Sequence, residues 1–256
     1  MLFDTHIHTS YSDDSDMLVE TAIGRANDLG LGVTFTEHID LAYPEPHTIT
    51  FDIGQYFRDY TRYRGNKVLL GIEVGMGPGC VEDNRRIIDN HPFDYVLGSI
   101  HAVGNVDIYS EEYYRLRSKR EAYIQYFEAM LACLKAYDFI DSLGHIDYIA
   151  RYARYEDTEV YYREFSDWID AVLNFLAQNN KAMEINTRRL TSQAAVDILR
   201  PIYRRFYELG GRMVTIGSDA HRPHDIGKRL VVGYDLAADC NLKAVYFKQR
   251  KPEIGR

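Results

Sequence analysis

The sequence predicts an α/β fold: a parallel sheet with its helices outside, seven strand–helix units long, closed as a barrel rather than left open. Three observations carry this. Short apolar, β-branched runs alternate with longer amphipathic runs seven times along the 256 residues. No Ser/Gly/Pro-rich linker, low-complexity stretch or short repeat breaks the alternation, so residues 1–256 read as one domain. That length fits a single barrel, and an apolar content of 46% is enough for its core.

The elements follow in order. Residues 2–7 read as the first strand, and a helix follows from about 15 to 29, with Ser15 as candidate N-cap and Gly30 just past its end. "GVTFTEH" is the second strand; a loop with Pro44 and Pro46 leads to the helix "IGQYFRDYTRYR". "KVLLGIEVG" is the third strand, followed by a Gly/Pro loop and the helix "VEDNRRIIDN". "DYVLGSIH" is the fourth, and "SEEYYRLRSKREAYIQYFEAMLACLKAY" is one long helix with room for a break. "DFIDSLGH" is the fifth strand and "TEVYYREFSDWIDAVLNFLAQNN" its helix. "KAMEINT" is the sixth, and Pro201 is expected to kink or split the helix "SQAAVDILRPIYRRFYELG". "RMVTIGSDAH" is the seventh strand, and the tail from about 224 holds a short helix and one further strand, "KAVYF".

Bulk properties narrow the function. A net charge of −8 argues against a nucleic-acid groove, and an acidic protein that handles an anion needs local positive charge from metal ions or placed arginines. Cys80, Cys133 and Cys240 are sparse, odd in number and show no CxxC spacing; they read as reduced packing residues of a cytosolic protein. Neither a signal peptide nor a membrane-spanning run is expected. The twenty-one tyrosines read mainly as filler on amphipathic helix faces.

The strand ends carry the chemistry. In chain order they present His6 and His8; Glu37 and His38; Glu73; His101; His145; Glu184 and Asn186; and Asp219 and His221. His6 and His8 are two apart, so a strand points both imidazoles to one side. In a barrel all these ends lie on the face that carries active sites. Each piece alone is weak, because an HxH pair or a strand-end histidine is often an ordinary polar residue. Six of nine histidines at strand ends is a joint pattern that packing does not explain. Imidazole and carboxylate together, with no cysteine, suit zinc, manganese or iron(II). The set is too large for one ion. A carboxylate such as Glu73 bridges two, and two or three divalent ions hold a phosphate and activate a bridging water. His47 and His91 read as surface residues, while His224 is left as a residue of the pocket or its surroundings.

Assembled as "DTHIH…TEHID…GIEVG…GSIH…LGHIDYIARY…EINTR…GSDAH", the chain resembles the polymerase-and-histidinol-phosphatase (PHP) superfamily, and within it the histidinol-phosphate phosphatases, from residue 3 to about 225. The resemblance implies a distorted (β/α)7 TIM-like barrel, the PHP fold, with a trinuclear metal centre. It implies hydrolysis of L-histidinol phosphate, a small phosphorylated metabolite, through a hydroxide that bridges two ions. Carried over, one ion takes His6, His8, Glu73 and Asp219; a second shares Glu73 and adds His101 and His145. The third takes His38, His221 and Asp13, Asp14 or Asp16, with Asp14 favoured by its place six past His8. Arg151 in "IARY" and Arg188 in "INTR" look like the residues that meet the phosphate, a role that suits the planar guanidinium fork. Glu73 counts with the catalytic set, and Asp219 and His224 are the candidates for protonating the leaving oxygen. Arg154 and Arg189 are weaker candidates for positive charge at the mouth. Tyrosines among residues 109–114, with Glu111 and Glu112, are candidates for the ring and amine of the substrate. The rival readings are another phosphomonoesterase, nuclease or phosphotyrosine hydrolase of the same superfamily, an amidohydrolase deaminase, and a silent scaffold.

Overall fold

The computed structural model describes residues 1–44 and 49–255; His47 lies outside the described residues. The chain alternates β1 (Phe3–Ile7), α1 (Val19–Asp28), β2 (Gly32–Ile39), α2 (Ile53–Tyr60), β3 (Val68–Gly75), α3 (Val81–Asp89) and β4 (Tyr95–Ser99). A small hairpin of β5 (Ala102–Val103) and β6 (Val106–Asp107) precedes α4 (Glu111–Tyr114), α5 (Lys119–Ala136), β7 (Ser142–Leu143) and α6 (Ile149–Tyr152). Then come α7 (Ser166–Gln178), β8 (Ala182–Asn186), α8 (Gln193–Glu208), β9 (Met213–Gly217), α9 (Leu230–Asp239), β10 (Lys243–Lys248) and β11 (Lys251–Ile254).

One sheet runs β1-β2-β3-β4-β7-β8-β9-β10-β11. Its pairs are parallel up to β10, and only β10 with β11 is antiparallel. Strands covered on both faces need apolar residues throughout, and every residue of β3 is buried. The sheet curls until its first strand meets the chain that leaves β9. A parallel bridge joins Ile7 to Ala220. There the His8 N–H donates to the Ala220 carbonyl at 2.9 Å, and the Ala220 N–H to the His6 carbonyl at 3.3 Å.

The opposite end of the sheet is stoppered by the tail. Phe247 of β10 stacks on Tyr95 (centroids 5.4 Å apart) and joins Leu97, Ala182 and Val245 in a small second core. The turn into β11 is tied down where the Gln249 and Arg250 N–H groups donate to Asp94, each at 2.9 Å. Arg250 also donates to Asp141 at 2.6 Å.

Several expectations change. The first helix begins at Val19, not near Ser15: the Ser15 hydroxyl oxygen accepts the Met17 N–H at 3.3 Å in a local turn, and its one hydrogen lies between the carbonyls of His8 (3.2 Å) and His221 (3.1 Å). The long fourth helix breaks at 115–118, where Ser118 and Glu121 form a capping box that starts α5 afresh. The fifth strand shrinks to two residues; the Asp141 carboxylate takes the Val96 N–H (2.8 Å) beside it. The helix expected from 158 begins at Ser166. Pro201 leaves α8 unbroken, and its ring lies on the exposed side, where water reaches the carbonyl that loses its partner. The tyrosines are more than filler: Tyr126 and Tyr203 are fully buried and bond the carbonyls of His145 and Glu184, pinning two strand ends.

Candidate metal centre

Glu73 sits at the middle of the strand-end face, wholly buried. Its Oε2 lies 3.1 Å from His6 Nε2, 3.4 Å from His8 Nε2 and 3.0 Å from His38 Nδ1. Its Oε1 lies 3.0 Å from His145 Nε2 and 3.4 Å from His101 Nε2. Asp219 Oδ1 approaches His6 and His8 Nε2 at 3.7 and 3.6 Å. Asp14 Oδ2 stands 2.9 Å from His221 Nε2 and 3.6 Å from His38 Nε2. The structure thus gathers His6, His8, Asp14, His38, Glu73, His101, His145, Asp219 and His221 at one place.

These spacings test the fit to metal ions. Ligand atoms about 2.1 Å from one ion in a tetrahedral array stand about 3.4 Å from each other. His6 and His8 bring their Nε2 atoms to 2.9 Å, while their Nδ1 atoms face Glu184 Oε1 (2.6 Å) and Ser12 Oγ (3.1 Å). With the outer nitrogens engaged, both inner lone pairs are left to converge on one point, the arrangement a cation requires. Glu73 with His101 and His145, His8 with His38 and His221, and His38 with Asp40 and His101 form further compact donor groups.

The electrostatics say the same. Burial works against charge on Glu73, yet His6, His38 and His101 outweigh it and hold the carboxyl well below its ordinary range. Burial likewise opposes charge on Asp219, and Arg151, His6, His221 and His8 overcome it. Burial favours a neutral His101, but Asp40 and Glu73 push its pKa up to about 10. His6 is raised in the same way by Glu184, Glu73 and Asp219. Protons therefore gather beside the buried carboxylates, where divalent ions would supply the positive charge. Burial, with His38, His221 and His6 nearby, keeps His8 neutral.

A cavity of about 510 Å³ opens over this group. Arg151, carried by α6, lies on its wall and donates to Asp219 Oδ2 at 2.5 Å. Its Nε and Nη2 are buried without a hydrogen-bond partner. Arg188 follows β8, half exposed, with Nη1 3.3 Å from the Asp219 carbonyl. Both face the cavity.

Other sequence candidates fall elsewhere. His224 has a 67% exposed side chain, stands 3.6 Å from Asp225, and is not among the residues lining the cavity. Its place in a short turn behind Pro223 carries the ring outward. Arg189 is occupied by Asp147 (2.9 Å) and Glu159. Tyr113 and Tyr114 are core residues whose hydroxyls bond Ala122 and Ile108 carbonyls, and Glu111, Glu112 and Tyr109 are exposed. None of these lines the cavity, and neither does Arg154, which lies beside Glu111.

Sequence reasoning missed Asp40, whose Oδ2 faces His101 Nδ1 at 3.0 Å, and Arg222 on the cavity wall. Strand alternation carried a signal for Asp40, which sits two past His38 and so points the same way.

A PHP domain family model matches residues 4–188. A "probable histidinol-phosphatase" of Clostridium acetobutylicum is 50% identical over 250 residues, covering 98% of each chain. The histidinol-phosphatase of Lactococcus lactis subsp. lactis is 31% identical over 225 residues, 85% of this chain and 83% of that one. The crystal structure of histidinol phosphate phosphatase from Lactococcus lactis subsp. lactis, complexed with zinc, L-histidinol and phosphate, matches with a TM-score of 0.91 at 27% identity, covering 98% of both chains.

Proposed function

The chain belongs to the PHP domain family, and on that premise we propose that it hydrolyses L-histidinol phosphate to L-histidinol and phosphate. The observation that carries the reading is the pairing of the Glu73-centred ligand ring with a buried, half-partnered Arg151 in one cavity. Arg151 and the half-exposed Arg188 put two guanidinium groups on the wall of that cavity beside the ligand ring, the charge and fork geometry that a phosphate calls for.

Two or three divalent ions held by His6, His8, Asp14, His38, Glu73, His101, His145, Asp219 and His221 would supply an activated water and neutralise phosphate charge. The protein's own residues do the rest. Glu73 and Asp219 stay ionised and hold the ligand nitrogens in register. Arg151 and Arg188 orient the phosphate and stabilise charge as it builds on the non-bridging oxygens. The Arg151–Asp219 bond fixes the guanidinium plane before the substrate arrives. Asp13 and Asp225 on the cavity wall give the substrate's ammonium group opposite charge to face. Zinc is the first metal to test, with manganese and iron(II) next. The three free, buried cysteines fit a reducing, cytosolic setting. Among the described residues no helix is long and apolar enough to cross a membrane.

The test is phosphate release by protein loaded separately with zinc, manganese or iron(II). The panel holds L-histidinol phosphate, sugar phosphates, phosphotyrosine, nucleotides and a short DNA strand. Strong preference for L-histidinol phosphate is expected. Broad, weak turnover of all the monoesters would overturn the substrate and leave a metal phosphoesterase.

A further inference from the structure

Glu184 is a buried carboxylate to which the ligand set gives no task. It lies in β8, wholly buried, and each of its oxygens meets a different part of the site. Oε1 stands 2.6 Å from His6 Nδ1. Oε2 accepts the His145 backbone N–H at 2.7 Å and the Asn186 side-chain amide at 3.2 Å. The neighbouring strand is shaped around it: a Cβ on Gly217 would stand 2.3 Å from His6 Cβ and 2.6 Å from Glu184 Oε1. Tyr203, from α8, holds the Glu184 carbonyl at 3.0 Å.

We propose that Glu184 is a positioning residue that sets the tautomer of His6 and the place of His145 together, and so prepares both sides of Glu73 for metal. The inference rests on reading the ring as a metal centre. A carboxylate only accepts hydrogen bonds, so His6 must carry its proton on Nδ1, and its Nε2 lone pair then faces Glu73, His8 and Asp219. The same carboxylate anchors His145 through its main chain, and His145 Nε2 faces the other oxygen of Glu73.

Glu184→Gln separates this role from simple packing. An amide has one accepting oxygen and one donating nitrogen. If the oxygen keeps the His145 N–H, the NH2 donates to His6 Nδ1 and moves the ring proton to Nε2, blocking the ligand position. If the oxygen keeps His6, the NH2 opposes the His145 N–H and pushes that segment away. In either pose one ligand is lost.

The experiment is zinc competition with a chromophoric chelator on the purified full-length protein, beside thermal unfolding of the metal-free forms. Glu184→Gln is expected to weaken the tightest zinc binding by about 10–100-fold. Glu184→Asp keeps an acceptor-only group at shorter reach and covers the case in which the amide does not fold; an intermediate loss is expected of it. Unchanged zinc affinity in either folded variant, with only a lowered melting temperature, would overturn the inference. A parent protein that binds no zinc, manganese or iron(II) would overturn the metal reading itself.

Discussion

Arg151 shows how much one side chain is asked to do. One guanidinium nitrogen holds Asp219 at 2.5 Å, and two others are buried and idle. A lysine keeps the charge but is a point donor on a flexible stem, so it cannot hold Asp219 and a phosphate in one plane. Arg151→Lys is expected to lower kcat/KM for L-histidinol phosphate by about 10²–10³-fold, the loss typical of a removed transition-state donor. Zinc content should stay at the parent level, since Arg151 is not a ligand. Steady-state kinetics with metal analysis checks both, and a variant that keeps more than about a tenth of parent kcat/KM would remove Arg151 from the phosphate. At this scale the sequence was legible where chemistry repeats at strand ends. His6, His8, Glu73, His101 and His145 all announce themselves by falling at the same point of each unit. His224 was misleading because nearness to His221 along the chain says nothing about the turn between them. Asp40 and Glu184 were hard to read because their work depends on which ring each faces, and spacing along one strand does not contain that.

At the scale of elements, the legible parts were those governed by local periodicity. β2 and β3 read directly from their apolar runs, and they pair over seven positions from Val33↔Val68 to Ile39↔Val74. The illegible parts were decided by partners distant in the chain. The tail looked vague because β10 and β11 gain their reason only from Tyr95, Asp94 and Asp141, more than a hundred residues upstream. The fifth strand looked longer than it is because Asp141, inside the expected run, takes the Val96 N–H with its carboxylate, a partner 45 residues upstream. The end of β3 joins both kinds of information. Gly75 fits a strand-ending glycine, yet the structure gives it a stricter cause: a Cβ there would sit 1.2 Å from Asp40 Oδ1. Gly75→Ala must therefore swing Asp40 off His101 Nδ1. The variant is expected to fold and to lose about 10–100-fold in zinc affinity or turnover, the usual cost of removing a carboxylate behind a ligand histidine. Asp40→Ala should reproduce the loss. An alanine at 75 with parent affinity would mean that Asp40 has another way to reach His101.

For the whole molecule, the proposed ligands would double as a clasp. They come from β1 and the loop beyond it, β2, β3 and the chain just beyond β4, β7 and β9, so one cluster touches six of the nine strands of the sheet. The pairing that holds the sheet into a ring is uneven around it. β2 and β3 share a long ladder, whereas β1 meets the chain beyond β9 through the Ile7–Ala220 bridge. His6, His8, Asp219 and His221 flank that bridge on both sides. Bound metal would therefore staple the seam where the backbone does least. A ligand that binds only the folded state adds about 2.7 kcal/mol at a hundredfold excess over its Kd, and local openings feel such a gain most where few other bonds resist them. Chelation is expected to lower the melting temperature and to speed amide exchange in peptides spanning 3–12 and 213–222. Peptides from the middle of β2 and β3 should change far less. Hydrogen–deuterium exchange with and without zinc reads this directly. A uniform rise across the chain would mean that the metal stabilises the fold as a whole and that the seam has no special need of it.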